Sequence, residues 1–253
     1  MDFRFNNLKN INTTRYIDDS NIGNHFFYSM VLHHLSEQNN LLSTYKNYND
    51  LTDLGIKLFV GSRVYTKGVL ITDDNFFNFL FTQIQPNKNI ILCGYFQTNE
   101  FALYLHEYFR EDIQQTGIIQ NNIFKYRYKS NNDAFVHIKL TDMMLVHDPY
   151  KYYDLVLSTI KFENGYISCD NINNPLCQQL MNKYNLKHIK YNMVETIMFA
   201  TTCNSVILSK GTFSWLIGML SFYSTVYFPK STKICKSNIF DIPGWNEITP
   251  TDS

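Results

Sequence analysis

The chain has 253 residues, with 22 Lys plus Arg against 22 Asp plus Glu and a formal net charge of zero. A surface that grips many nucleic-acid phosphates needs a basic excess, so nucleic acid is not an expected partner. With 45% hydrophobic and 17% charged residues, the composition is that of a folded protein with a sizeable core, neither disordered nor fibrous.

In chain order, the polar segment Met1 to Asn12 has no apolar signal-peptide core. The sequon Asn12-Thr13-Thr14 is therefore expected to be unused. Phe26 to Leu35 carries helical apolar spacing after Gly23-Asn24. Ile56 to Val60 and Val69 to Ile71 read as short strands, and Asn75 to Ile84 as a helix capped by Asp73 or Asp74. Ile90 to Tyr95 reads as a buried strand, followed by a helix over Glu100 to Phe109. Beyond a polar stretch at Lys125 to Asp133 the pattern sharpens. Strands are expected at Ala134 to Leu140, Gly165 to Cys169, His188 to Tyr191, Ser205 to Leu208 and, last, Thr225 to Phe228. Between them lie helices around Tyr152 to Ile160, Pro175 to Tyr184, Val194 to Thr202 and Phe213 to Phe222.

This alternation implies an α/β fold with a mostly parallel sheet and helices on both faces. Ligands in such folds bind beyond the carboxyl ends of the strands. The polar stretch suggests a division into residues 1–128 and 129–253. No run reaches about 18 apolar residues, so no membrane span is expected. The five cysteines (Cys93, Cys169, Cys177, Cys203, Cys235) form no C-x-x-C pair. They are expected to be reduced thiols in a cytoplasmic protein, without a zinc site or a disulfide framework.

Four segments in one order carry a resemblance. Asn21 to Tyr28 (NIGNHFFY) is similar to the Gly-Asn loop that opens the α-1,2-fucosyltransferases. Gly94-Tyr95-Phe96-Gln97 matches their Gly-Tyr-Phe-Gln segment. Phe135 to Asp142 (FVHIKLTD) resembles their His-x-Arg-Arg-Gly-Asp motif in degenerate form. Ser209 to Phe228 (SKGTFSWLIGMLSFYSTVYF) is similar to their Gly-Thr-Phe-Gly/Ser-Trp stretch with its helix and closing Val-Tyr strand. The resemblance implies a GT-B glycosyltransferase, that is, two facing Rossmann-like domains with the site in the cleft between them. Residues 1–128 would be the acceptor side and 129–253 the donor domain. It further implies inverting transfer of fucose from GDP-fucose to a glycan or glycolipid, without a metal or other cofactor.

The motif arginines correspond here to Lys139 and Leu140. Lysine supplies a point charge without the guanidinium fork, and leucine supplies nothing polar. Donor phosphates then need other partners, for which Lys210, Gly211, Thr212, Phe213 and Ser214 at a helix start are candidates. Gly23, Asn24 and His25 are implied on the diphosphate from the first domain, although a turn that starts a helix explains them equally. His137 is either a donor-binding histidine or a core histidine bonded to backbone. Glu195 resembles an acidic position near the nucleotide and equally suits a helix amino terminus. The acceptor hydroxyl needs a base, for which His147 is the first candidate, with Asp148 or Asp142 as competitors. Phe213 and Trp215 also suit the core. Three functions stay open: a fucosyltransferase, the same fold with another nucleotide sugar, or a silent nucleotide-binding or assembly protein.

Overall fold

A computed structural model describes residues 15–16, 22–46, 48–81, 87–143, 146–231 and 238–250. Asn21, the sequon and Cys235 lie outside the described residues. The chain forms two compact units, Met1–Phe101 and Ala102–Ser253. No helix among the described residues is long and apolar enough to cross a membrane.

The first unit holds β1 (Arg15–Tyr16), α1 (Ile22–Asn39), α2 (Tyr48–Asp53), β2 (Gly68–Ile71), α3 (Phe76–Phe81) and β3 (Asn89–Leu92). Its strands form a parallel sheet in the order β1-β3-β2. Helix α1 is buried on nearly every face from Ile22 to Ser36, with the polar His25, Ser29, His33, His34 and Ser36 among its buried residues. Phe76 meets Phe96 and Phe101 edge-on at 5.2 and 5.5 Å, and Phe101 meets Phe27 at 6.3 Å. Such aromatic contacts carry much of a small unit's core.

Two sequence expectations fail here. Ile56 to Val60 forms no strand. Side chains hold that backbone instead: Phe59 N–H donates to His33 Nδ1 (2.9 Å), and Tyr45 OH donates to the Phe59 carbonyl (2.6 Å). Asp73 does not cap α3; its carboxylate accepts the N–H groups of Tyr95 and Phe96. The expected end of α3 at residues 82–84 lies outside the described residues.

Helix α4 (Asn99–Tyr108) runs across the division, and α5 (Asp112–Asn121) follows it. Helix α5 escaped the sequence reading because it has no apolar face; Ile118 is its buried residue. A 3-10 turn at Lys125–Arg127 leads to β4 (Ala134–Ile138), α6 (Leu140–Met143), α7 (Pro149–Thr159), β5 (Gly165–Cys169), α8 (Pro175–Tyr184) and β6 (Lys187–His188). Then come α9 (Met193–Ala200), β7 (Ser205–Ile207), α10 (Thr212–Leu220), β8 (Thr225–Pro229) and β9 (Asn246–Ile248). Strand β9 follows β8, so Thr225 to Phe228 is not the last strand.

These six strands form one parallel sheet in the order β6-β5-β4-β7-β8-β9. All five residues of β4 are buried, as a central parallel strand covered on both faces requires. Local signals start the helices. Asp148 and Asn174 each cap a helix with Pro next, and Asn192 with Glu195 forms a capping box on α9. The chain runs outward from β4 to β5 and β6, then returns to place β7 on the other side of β4. That reversal makes a topological switch point between β4 and β7, the place where ligands bind in folds of this kind.

Candidate functional site

The loops after β4 and β7 carry most of the residues selected from the sequence. On β4, His137 is 6% exposed, and its Nδ1 lies 2.5 Å from Ser214 Oγ on α10. Ser209 Oγ is 2.8 Å from Ser214 Oγ and accepts the Lys139 N–H at 3.2 Å. The Phe213 ring lies 5.1 Å from the imidazole. Burial pushes the His137 pKa down to about 4, against a raising effect of Asp170, so the ring is neutral near neutrality. Its surroundings are those of a core histidine that fastens β4 to α10.

Gly211 precedes α10 with φ +103 and ψ 155 and offers no side-chain cap. This backbone region is essentially reserved for glycine. A Cβ at Gly211 would also collide with the Asp142 carboxylate, so Asp142 packs against the residue that opens the helix. Burial holds the Asp142 carboxyl above its ordinary range, opposed by Lys139 and reinforced by Asp170. The amino end of α10, which has no side-chain cap from Gly211, lies at the switch point beside Asp142, and a helix amino terminus is suited to an anionic group.

Sequence reasoning missed Asp170, which directly follows β5. It accepts the Leu140 N–H at 3.2 Å, and its other oxygen pairs with Lys139 Nζ at 3.2 Å. Burial alone would raise this carboxyl; the Leu140 N–H and the Lys139 ammonium outweigh that and leave it below its usual range. The signal was available, since a carboxylate just past a parallel strand stands at the edge where ligands bind.

Other selected residues have separate roles, although Lys210 and Thr212 flank Gly211 in the chain. Lys210 is 6% exposed, and its ammonium stands over the Phe228 and Phe240 rings at 5.0 and 4.6 Å. Thr212 is buried in the first turn of α10. Trp215 is fully buried and donates to the Ile239 carbonyl at 2.6 Å. Glu195 accepts the Asn192 N–H in the capping box, which is its helix-terminus role. His147 is exposed before α7. Asp148 has φ +46 and accepts the Lys151 N–H at 3.0 Å as the cap of that helix.

In the first unit, Gly23, Asn24 and His25 form the first turn of α1. Asn24 Oδ1 accepts from Gln97 Nε2 at 3.0 Å, and Tyr28 meets Phe96 edge-on at 5.7 Å. Two segments matched separately in the sequence therefore touch at the carboxyl edge of this sheet. His25 is buried.

Among the described residues, the group His33, His34 and Glu37 has potential metal-ligand atoms within 4.8 Å of one another. His33 Nδ1 accepts the Phe59 N–H, which puts the proton of the neutral ring on Nε2, the atom facing Glu37 at 3.9 Å. Coordination through Nε2 would break that bond, so the imidazole is used to hold the 56–60 segment.

No protein-family model and no curated protein matches the chain. Solved structures do. The fucosyltransferase NodZ from Bradyrhizobium aligns with a TM-score of 0.51 at 8% identity, covering 83% of this chain and 94% of that one. A NodZ alpha-1,6-fucosyltransferase soaked with GDP-fucose aligns with a TM-score of 0.50 at 8% identity, covering 83% and 93%. The chain has an α/β fold with parallel sheets that matches the GT-B fold of NodZ. At this identity the likeness speaks for fold alone, so the chemistry has to be argued from the residues.

Proposed function

We propose that the chain is a glycosyltransferase that moves a sugar from a nucleoside-diphosphate sugar, GDP-fucose by default, to a hydroxyl of a glycan or glycolipid. The observation that carries this reading is the uncapped amino end of α10, opened by Gly211 at the switch point, in a fold shared with a protein soaked with GDP-fucose. The second unit would hold the donor. Its departing diphosphate gains negative charge as the sugar leaves, and the first N–H groups of α10 are preorganised to meet it.

Transfer with inversion follows from one displacement. The acceptor oxygen forms a bond to the sugar carbon as the carbon–phosphate-oxygen bond breaks, and the acceptor proton passes to a base. Among the three candidates, Asp148 is engaged in capping and His147 stands exposed. Asp142 lies against Gly211 at the α10 mouth, on the diphosphate side, whereas inversion puts the base on the opposite face of the sugar, so His147 is the preferred base. The linkage read from the sequence resemblance is α-1,2.

One observation favours a second reading, the same fold with another nucleotide sugar: Leu140 stands where the motif has an arginine, and Lys139 is paired with Asp170. Calorimetry with GDP, UDP, GDP-fucose and a panel of nucleotide sugars separates the two. Tightest binding of GDP and GDP-fucose supports fucosyl transfer, and preference for another base or sugar moves the assignment to that donor. Binding of none of them defeats both readings. The double substitution Lys139→Arg with Leu140→Arg is expected to raise GDP-fucose affinity.

A further inference from the structure

The loop after β4 has two groups able to receive an anion, the Lys139 ammonium and the Leu140 N–H. Both are taken by one side chain. Asp170 reaches across from the end of the neighbouring strand β5, placing Oδ2 3.2 Å from Lys139 Nζ and Oδ1 3.2 Å from the Leu140 N–H. The register fixes this reach, because Ile138 and Cys169 are paired residues at the ends of β4 and β5. The next residue on each strand is therefore Lys139 on one side and Asp170 on the other. A carboxylate holding a cation and an amide together in this way fills the position of an incoming phosphate.

We propose that Asp170 is a specificity-determining residue that acts as an internal anion, withholding Lys139 and the Leu140 N–H from the donor's phosphates. This rests on the donor reading above and deepens it. The pair is partly exposed, with side chains 42% and 30% accessible, so it is weak enough for a competing anion to disturb. While it holds, the positive charge of the β4 loop is cancelled and the diphosphate depends on the amides of α10. Such a site disfavours ligands recognised by phosphate charge alone and leaves selection to the sugar and base. Asp170 then sets how much the diphosphate contributes to donor affinity, without itself touching the reacting atoms.

The test is a double-mutant cycle on the full chain, using Asp170→Asn, Lys139→Met and the pair. Binding of GDP and of inorganic pyrophosphate is measured by calorimetry at two salt concentrations. Asparagine keeps the amide acceptor for Leu140 and removes the charge, and thermal unfolding checks that each variant is folded. Asp170→Asn is expected to bind both probes about 3–10-fold more tightly, with a steeper salt dependence. The gain is expected to vanish when Lys139 is Met.

Unchanged or weaker binding of both probes by a folded Asp170→Asn protein overturns the proposal. So does a gain that survives Lys139→Met. The donor reading fails separately: if the wild type binds no nucleotide but Asp170→Asn gains pyrophosphate through Lys139, the internal anion stands and the nucleotide-sugar assignment falls.

Discussion

His137 Nδ1 lies 2.5 Å from Ser214 Oγ, a side-chain contact that ties the central strand β4 to the first turn of α10. Removing the hydroxyl leaves a buried imidazole nitrogen with Ser209 at 3.4 Å as its remaining hydroxyl neighbour. Ser214→Ala is expected to cost about 1–3 kcal/mol in urea unfolding. Ser214→Thr, which keeps the hydroxyl, is expected to restore part of that loss. Equal stability of Ser214→Ala and wild type would show that the contact does not hold β4 to α10.

The same histidine gives a pH dependence. Its folded-state pKa of about 4 lies below an unfolded value of about 6.5, so the unfolded chain binds the extra proton first. The associated stability is fully present above about pH 6.5 and is lost as pH falls toward 4, amounting to about 3 kcal/mol. His34, pushed down to about 3 by burial and by His33, acts in the same direction. Urea titrations at pH 7 and 4.5 check this. The slope with pH should be visibly shallower in His137→Gln than in wild type.

Gly211 is held by both its backbone and its neighbour. Gly211→Ala places a side chain at φ +103 and against the Asp142 carboxylate. The backbone contribution alone is about 1–3 kcal/mol. Adding Asp142→Ala is expected to relieve the collision and leave the backbone cost. Chemical unfolding of the two single variants and the pair separates these contributions; strictly additive losses would refute the collision.

Asp73 organises the edge of the first unit. Its carboxylate accepts the N–H groups of Tyr95 (2.9 Å) and Phe96 (2.5 Å), and Phe96 has φ +56. Asp73→Ala is expected to cost about 1–3 kcal/mol. Amide hydrogen exchange should report faster exchange at Tyr95 and Phe96. Unchanged protection there would mean that other contacts fix the loop.

Elements with strong local signals were legible in the sequence. Gly165–Cys169 and Pro175–Tyr184 match the expected bounds; for the helix, the cap Asn174 followed by Pro marks the start. Helix α5 was not legible, since it has no apolar stripe. The false strand at Ile56 to Val60 shows the converse: an apolar run satisfied by packing and by His33 needs no ladder. The expected division near residue 128 rested on polarity at Lys125 to Asp133, yet Arg127 there pairs with Asp133 at 2.7 Å inside the second unit.

The sequence by itself determined the α/β class and which loops could carry chemistry, because apolar periodicity and helix caps are local properties of the chain. Only the tertiary structure decided what each polar residue does there. Asp170 and Lys139 are 31 positions apart in the chain and meet because β5 pairs with β4 in one particular register. Asp142 and Gly211 meet because β7 returns to the other side of β4. Strand order is a long-range property, set by how the buried faces pack, and it governs which charges are paired and which remain available to a ligand.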